Sequence, residues 1–295
     1  MRKLHGILCP IDFSDFSLNA YRYALSVACR YGARLFALHI VELWKYPYAD
    51  FAAVAGGYGE FFRVVRQGSE EQLKKFVKIC SKDDVQPELI VEQGIAPDCI
   101  LALADAREAD LIVMGTHGRR GFDRLMLGSV TERVMRKAPC PLLVVNSPSQ
   151  DFNDSTAQTD PVRLRRIVFC TDFSENSRQA LDHAISLRTE YDAELTVLHV
   201  VEDFHDSAKK DLAISAAMGQ FEDILPDRAR KTGQIKMIVR VGKAYEQIVQ
   251  FALEAGTDLV VMAVRGRGTL DLAIFGSTTH RVIQLAPCPV FVVHV

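Results

Sequence analysis

The feature that most constrains this chain is that it repeats itself. Ile7-Leu8-Cys9-Pro10-Ile11-Asp12-Phe13-Ser14 returns as Ile167-Val168-Phe169-Cys170-Thr171-Asp172-Phe173-Ser174. Leu38-His39-Ile40-Val41-Glu42 returns as Leu198-His199-Val200-Val201-Glu202, and the run from Met114 to Val145 returns from Met262 to Val293 with about half its positions identical. Solenoid units run about 20 to 50 residues, so a repeat this long is a duplicated domain, and each half must bury a core of its own. Between the halves Asn146 to Pro161 is polar and rich in Ser, Asp, Asn and Gln, the composition of a linker. The expected organisation is a first domain over 1–146, a linker over 147–161 and a second domain over 162–295.

The repeat offset locates an insertion. Asp12 to Asp172 and His39 to His199 are each 160 positions, whereas Gly94 to Gly242 and Gly128 to Gly276 are each 148. The first half therefore carries twelve extra residues (160 − 148) between Val41 and Gly94. The stretch from Trp44 to Gly68 is the expected place, since it holds the only Trp, a Gly-Gly pair and six further aromatics. Two readings stand for it: an extension that packs a helix, or a lid or contact surface over a first-half site.

Composition narrows the class. The chain is 48% hydrophobic and 24% charged, enough apolar material for two cores, and its net charge of −2 comes without a long run of either sign. Nucleic acid and anionic membranes are therefore not electrostatically favoured partners. Pro10 and Asp12 interrupt the apolar N-terminal run, and no apolar stretch approaches the roughly 20 residues of a membrane span. Seven cysteines without Cys-x-x-Cys spacing suit a reduced interior rather than a disulfide framework. A cytoplasmic location is expected.

Strand-like and helix-like segments alternate. Short apolar runs without alternation stand at Lys3–Pro10, Arg34–Ile40, Glu88–Glu92, Leu111–Gly115 and Leu142–Val145, the pattern of parallel strands covered on both faces. Amphipathic stretches lie between them at Phe16–Tyr31, Gln67–Ser81, Ala96–Arg107 and Gly128–Lys137. The second half repeats the strands near Arg166–Cys170, Glu194–Val200, Lys236–Arg240, Leu259–Ala263 and Val290–His294. The spacing predicts an α/β protein of two tandem, doubly wound, Rossmann-like domains, each with a five-stranded parallel sheet. Ligands of such sheets bind beyond the carboxyl ends of the strands, where the strand order reverses. The loops after strands one and four are thus the places to search.

The loop after strand four reads Gly115-Thr116-His117-Gly118, then nine residues, then Gly128-Ser129-Val130-Thr131 at a helix start. A helix start presents unpaired N–H groups and the positive end of the dipole, and glycine lets an anion approach the backbone. Hydroxyls on Ser129 and Thr131, and the guanidinium of Arg119, Arg120 or Arg124, suit phosphate. No Walker loop and no Gly-x-Gly-x-x-Gly after the first strand is present. On these residues alone, turn glycines and a helix N-cap explain the pattern as well as a ligand does. Asp12 and Asp172, each followed by Phe-Ser, likewise fit turn organisers ahead of the N-caps Ser14 and Ser174. His39 and His199 fit satisfied structural residues, and Cys140 and Cys288 in Pro-Cys-Pro fit packing.

Over nearly the whole length of both halves the chain resembles the universal stress protein family in its tandem form. The ATP-binding members of that family carry Gly-x-x-Gly, nine residues, then Gly-Ser/Thr, which Gly115, Gly118, Gly128 and Ser129 match. The resemblance implies nucleotide contacts from Pro10, Ile11 and Asp12 at the end of strand one, with Ile40 flanking adenine. It implies further contacts from Met114, Gly115, His117, Gly118 and Arg119 at strand four and its loop, and from Gly128, Ser129, Val130 and Thr131 at the helix start. In the second half the same positions are Asp172, Val200, Met262, Gly266, Gly276, Ser277 and Thr278. Ala263 replaces the motif's first glycine there; its methyl either crowds the nucleotide or is harmless at negative φ, and the second site is expected to be the weaker.

The ligand so implied is ATP, or ADP or AMP, with Mg²⁺ as an optional companion; no catalytic or metal-ligating residue is assigned. The expected role is a stress-response regulator or sensor whose output is a conformation or a protein partner. A slow ATPase or autophosphorylating protein, with Ser129 or a nearby hydroxyl as acceptor, is the alternative, and a nucleotide-free structural adaptor the second. Single-domain members of the family pair through the fifth strand, so Leu142–Val145 and Val290–Val293 are expected to pair inside this chain as a pseudo-dimer. A homodimer of whole chains, through the aromatic insertion, is a further expectation.

Overall fold

The computed structural model describes residues 4–45, 58–80, 85–117, 127–146, 162–201, 207–225, 235–264 and 276–294. The chain divides into two compact units between Val162 and Arg163. The linker expected at 147–161 lies outside the described residues.

In the first unit the strands are β1 (Gly6–Pro10), β2 (Arg34–Val41), β3 (Glu88–Gln93), β4 (Leu111–Gly115) and β5 (Leu142–Val145). They run in the order β3-β2-β1-β4-β5, and every pair is parallel. The helices are α1 (Asp15–Tyr31), α2 (Tyr58–Lys78), α3 (Ala96–Ala106) and α4 (Ser129–Lys137), with a 3₁₀ turn at Leu43–Lys45. The second unit repeats the plan. Its strands are β6 (Arg166–Cys170), β7 (Glu194–Val201), β8 (Ile235–Val241), β9 (Leu259–Ala263) and β10 (Val290–Val293), in the order β10-β9-β6-β7-β8 and again parallel throughout. Its helices are α5 (Glu175–Tyr191), α6 (Ser207–Ile224), α7 (Ala244–Glu254) and α8 (Ser277–Leu285).

The continuous apolar runs are the inner strands. Every residue of β4, β5, β9 and β10 is buried, because helices cover both faces of a parallel sheet. Each such Val, Leu or Ile contributes about 1.5–3 kcal/mol through its removal from water. β3, last in its run, alternates less cleanly and exposes Glu88, Glu92 and Gln93. An aspartate at the foot of β4 ties it to β1: Asp110 Oδ2 accepts from the His5 and Gly6 N–H groups at 2.6 and 3.1 Å. Asp258 does the same for Arg165 and Arg166, both at 2.8 Å.

α2 departs furthest from its expected bounds. It starts at Tyr58, nine residues before the expected Gln67, so the tail of the aromatic stretch belongs to the helix. Glu60–Arg63 and Arg66–Glu70 form i,i+3 and i,i+4 ion pairs at 2.8 and 3.0 Å that support this exposed extension. A Cβ at Gly59 or Gly68 meets nothing within 4 Å, so these glycines lower helix propensity without marking a turn. Residues 42–57 separate β2 from α2, whereas only 202–206 separate β7 from α6, which places most of the insertion ahead of the helix. Trp44 stands in the 3₁₀ turn and is 58% exposed; 46–57 lie outside the described residues.

Candidate functional site

The strand order reverses between β1 and β4, and there the two strands part. Bridging runs only over Ile7↔Leu111 and Leu8↔Ile112, while β1 continues to Pro10 and β4 to Gly115. A crevice at the carboxyl ends of β1 and β4 follows, which is where doubly wound sheets take ligands. Pro10, Ile11, Asp12, Ile40, Gly115 and His117 all belong to the segments that border it.

The loop after β1 is held from several sides. Asp12 Oδ1 accepts from the Ser14 N–H at 3.1 Å and from Ser14 Oγ at 2.6 Å. Ser14 in turn caps α1 by accepting from the Ser17 N–H at 3.2 Å. Within this Asx turn the intervening residue, Phe13, sits left-handed at φ 65°, unusual for a side chain with a Cβ. Its ring lies 4.4 Å from the His39 ring and 5.6 Å from that of Phe76, centroid to centroid. His39 Nδ1 is 2.8 Å from the Ile11 carbonyl oxygen; since that oxygen only accepts, Nδ1 carries the proton. Ile11 N–H donates to Leu38 O at 2.7 Å, so Ile11 is bound on both sides by β2. Ile40, half-buried, follows His39 and pairs with Glu92 of β3.

The second unit reproduces the loop. Asp172 Oδ1 accepts from Ser174 N–H and Oγ at 3.0 and 2.6 Å, Phe173 has φ 61°, and His199 Nδ1 donates to Thr171 O at 2.8 Å. Phe173 lies 4.5 Å from His199 and 5.2 Å from Phe221 of α6. One addition distinguishes it: Thr171, in place of Ile11, sets its hydroxyl 2.9 Å from Ser177 Oγ and accepts from Phe173 N–H at 2.9 Å.

Beyond β4, Gly128 N–H donates to Thr116 O at 2.8 Å and closes the loop onto the start of α4. Gly128 gives α4 no side-chain cap. Helix geometry leaves the first N–H groups of α4, those of Ser129, Val130 and Thr131, without intrahelical acceptors at the positive end of the dipole. Ser129 is exposed and Val130 half-buried. Thr131 is buried and its Oγ1 donates to Gly115 O at 2.9 Å, so this hydroxyl ties α4 to β4. His117 Nδ1 lies 3.0 Å from Thr116 Oγ1, and its ring is 5.1 Å from Phe16. In the second unit Gly276 N–H donates to Val264 O at 3.4 Å and Thr279 Oγ1 to Ala263 O at 3.1 Å, with Ser277 exposed and Thr278 half-buried. Met114 and Met262 are buried in the core. Gly118, Arg119 and Gly266 lie outside the described residues.

Gly115 has a role that spacing does not reveal. A Cβ there meets Phe16 Cβ at 2.9 Å and the Phe16 carbonyl carbon and oxygen at 3.0 Å. The missing side chain admits the first turn of α1 against β4. At the aligned position Ala263 is buried in β9 and faces a unit in which Asn176 stands where Phe16 stands in the first. At Gly115 the direction of the Cβ is toward α1. Phe16, against Gly115, and Phe76, against Phe13, touch these segments without belonging to the motif. Their signal was the aromatic character of α1 and α2, which reads equally as core.

Among the described residues no group of three His, Cys, Asp or Glu side chains is placed to hold a metal ion, and no helix is long and apolar enough to cross a membrane.

A duplicated, doubly wound parallel α/β domain with a glycine-led helix start at its crevice defines a class, and comparison with known proteins gives the family. The family model described as universal stress protein matches residues 4–146 and again 163–294. This chain belongs to the universal stress protein family, with two tandem domains. It is similar to universal stress protein MJ0531 of Methanocaldococcus jannaschii, 34% identical over 145 residues that span 49% of this chain and 84% of the relative. It is also similar over its length to universal stress protein Rv2005c of Mycobacterium tuberculosis, 23% identical over 299 residues, covering 99% of this chain and 97% of that protein. Among solved structures, a universal stress protein from Archaeoglobus fulgidus shares the fold with a TM-score of 0.62 and 21% identity, covering 98% of this chain and 96% of the other.

Proposed function

We propose that the first unit binds an adenine nucleotide, ATP or its di- or monophosphate, in the crevice between β1 and β4. The phosphates meet the N-terminus of α4, Asp12 and the end of β2 face the nucleoside, and the bound state regulates a stress response through conformation or a protein partner. The observation that carries this reading is the start of α4. Its first-turn N–H groups are uncapped by any side chain and are fixed at the carboxyl end of β4 by the bond from Gly128 N–H to Thr116 O. Such a helix start is a ready anion site, and Gly115, Gly128 and Ser129 are the family motif's residues at that spot.

Ser129→Asp separates ligand loss from fold loss. An acidic residue in the first turn stabilises a helix by about 0.3–1 kcal/mol, while its charge opposes phosphate. Titration calorimetry is expected to show ATP affinity falling at least about tenfold, the equivalent of 1.4 kcal/mol, with Tm kept or raised. Unchanged affinity refutes the assignment. Mass spectrometry of ligand released on denaturation identifies the natural occupant, and ATP that survives hours on the protein separates a binding module from a slow ATPase.

A further inference from the structure

We infer that His39 and Phe76 are positioning residues for the nucleotide site, holding the Asp12 carboxylate in place before any ligand arrives; this rests on the binding reading above. Asp12 is fixed by accepting both bonds from Ser14 on one oxygen, at 3.1 and 2.6 Å. Within that turn Phe13 is left-handed at φ 65°, a conformation that a non-glycine residue keeps only where its surroundings over-determine it. The surroundings here include two rings. His39 packs on Phe13 with its ring tilted by 34° at 4.4 Å and bonds the preceding carbonyl, that of Ile11, at 2.8 Å, so one imidazole grips both residues that flank Asp12. Phe76, in the last turn of α2 and buried, meets the ring of Phe13 edge-on at 5.6 Å.

The duplication is an independent observation. His199 and Phe221 grip Phe173 at 4.5 and 5.2 Å, and His199 bonds Thr171 O at 2.8 Å, around an Asp172 that makes the same two bonds. A packing accident would not be expected to preserve a strained aromatic, its two ring neighbours and the histidine tautomer together, when α2 and α6 otherwise differ in length and sequence. The arrangement instead keeps a carboxylate oriented at a crevice, which lowers the ordering cost that a ligand must meet.

The test uses the full chain with His39→Leu, His39→Asn and Phe76→Leu. Asparagine places its amide N–H where His39 Nδ1 now donates; leucine at either position keeps apolar bulk and removes the ring. Two quantities are read: NMR hydrogen exchange of the Ser14 amide without ligand, and ATP affinity by calorimetry. The Ser174 amide of the untouched second unit is the internal reference, and a general loss of stability is read from the Val113 amide of β4. His39→Leu and Phe76→Leu are expected to speed Ser14 exchange about tenfold or more relative to Val113, and to weaken ATP about tenfold, the factor that about 1.4 kcal/mol represents. His39→Asn, which keeps the donor but not the ring, is expected to fall between His39→Leu and the wild type in both. Unchanged Ser14 exchange, or loosened exchange with unchanged ATP affinity, overturns the positioning role and leaves the binding reading intact. A wild-type chain that binds no adenine nucleotide overturns both.

Discussion

Gly115→Ala tests whether the first glycine of the motif serves the ligand or the fold. The new Cβ stands 2.9 Å from Phe16 Cβ and 3.0 Å from two Phe16 backbone atoms, and backbone cannot rotate aside as a side chain does. The first turn of α1 must shift, and overpacking of this kind costs about 1–3 kcal/mol. At about 4 °C per kcal/mol for a domain of this size, Tm of the first unit is expected to fall by about 4–12 °C, with ATP affinity retained in folded protein. The reciprocal change, Ala263→Gly, removes a buried methyl worth about 0.8 kcal/mol and adds a backbone entropy cost of about 0.5–1 kcal/mol. It is expected to destabilise the second unit without strengthening a second site. Calorimetric melting and ATP titration of both variants give the four numbers needed. Unchanged melting with lost ATP binding in Gly115→Ala would falsify this argument, since the methyl would then be acting inside the crevice.

Thr131→Val, nearly isosteric, strips the donor from Gly115 O inside the core and is expected to cost about 1–3 kcal/mol; an unmoved urea midpoint would show the bond to be immaterial. Burial foremost pushes the Cys140 and Cys288 thiols up to about 12 from 9.0. The unfolded chain loses these protons first, so each thiol's stabilisation is complete below pH 9 and is lost as pH rises from there through 12, with a slope of up to about 1.4 kcal/mol per pH unit. Replacing both with alanine is expected to flatten the alkaline fall in urea midpoint, and an equally steep fall would exclude them as its cause. We propose that Leu142–Val145 and Val290–Val293 pair within the chain; separately expressed halves are expected to associate and Val144→Pro to weaken that association, whereas halves that remain apart in sedimentation would refute the pairing.

The strands were legible because burial on both faces permits only one pattern. Leu111–Gly115 and Leu142–Val145 are apolar throughout, and the structure makes them β4 and β5 with those bounds. The start of α2 was not legible, because Gly56, Gly57 and Gly59 lower helix propensity there, and ion pairing along the exposed face is a weak signal beside them. The crevice could be located from the glycine spacing, but the division of labour inside it could not. Sequence shows that a residue lacks a side chain, not the direction in which one would point: the empty side of Gly115 faces Phe16.

Duplication removes part of that ambiguity, though in a direction opposite to the usual one. Residues kept in both halves are tempting as ligand contacts, yet most here have a structural bond that accounts for them. Asp12 and Asp172 build the turn, Ser14 and Ser174 cap the helix, His39 and His199 hold the loop carbonyl, and the hydroxyls of Thr131 and Thr279 tie the last helix to its strand. What these bonds leave for a ligand is chiefly backbone: the first-turn N–H groups of α4 and α8, presented by glycines that supply no side-chain cap. Backbone donors recognise phosphate without any particular side chain beside them. The two halves can therefore diverge at Ile11 and Thr171, or at Gly115 and Ala263, while both keep the helix start on which an anion would depend.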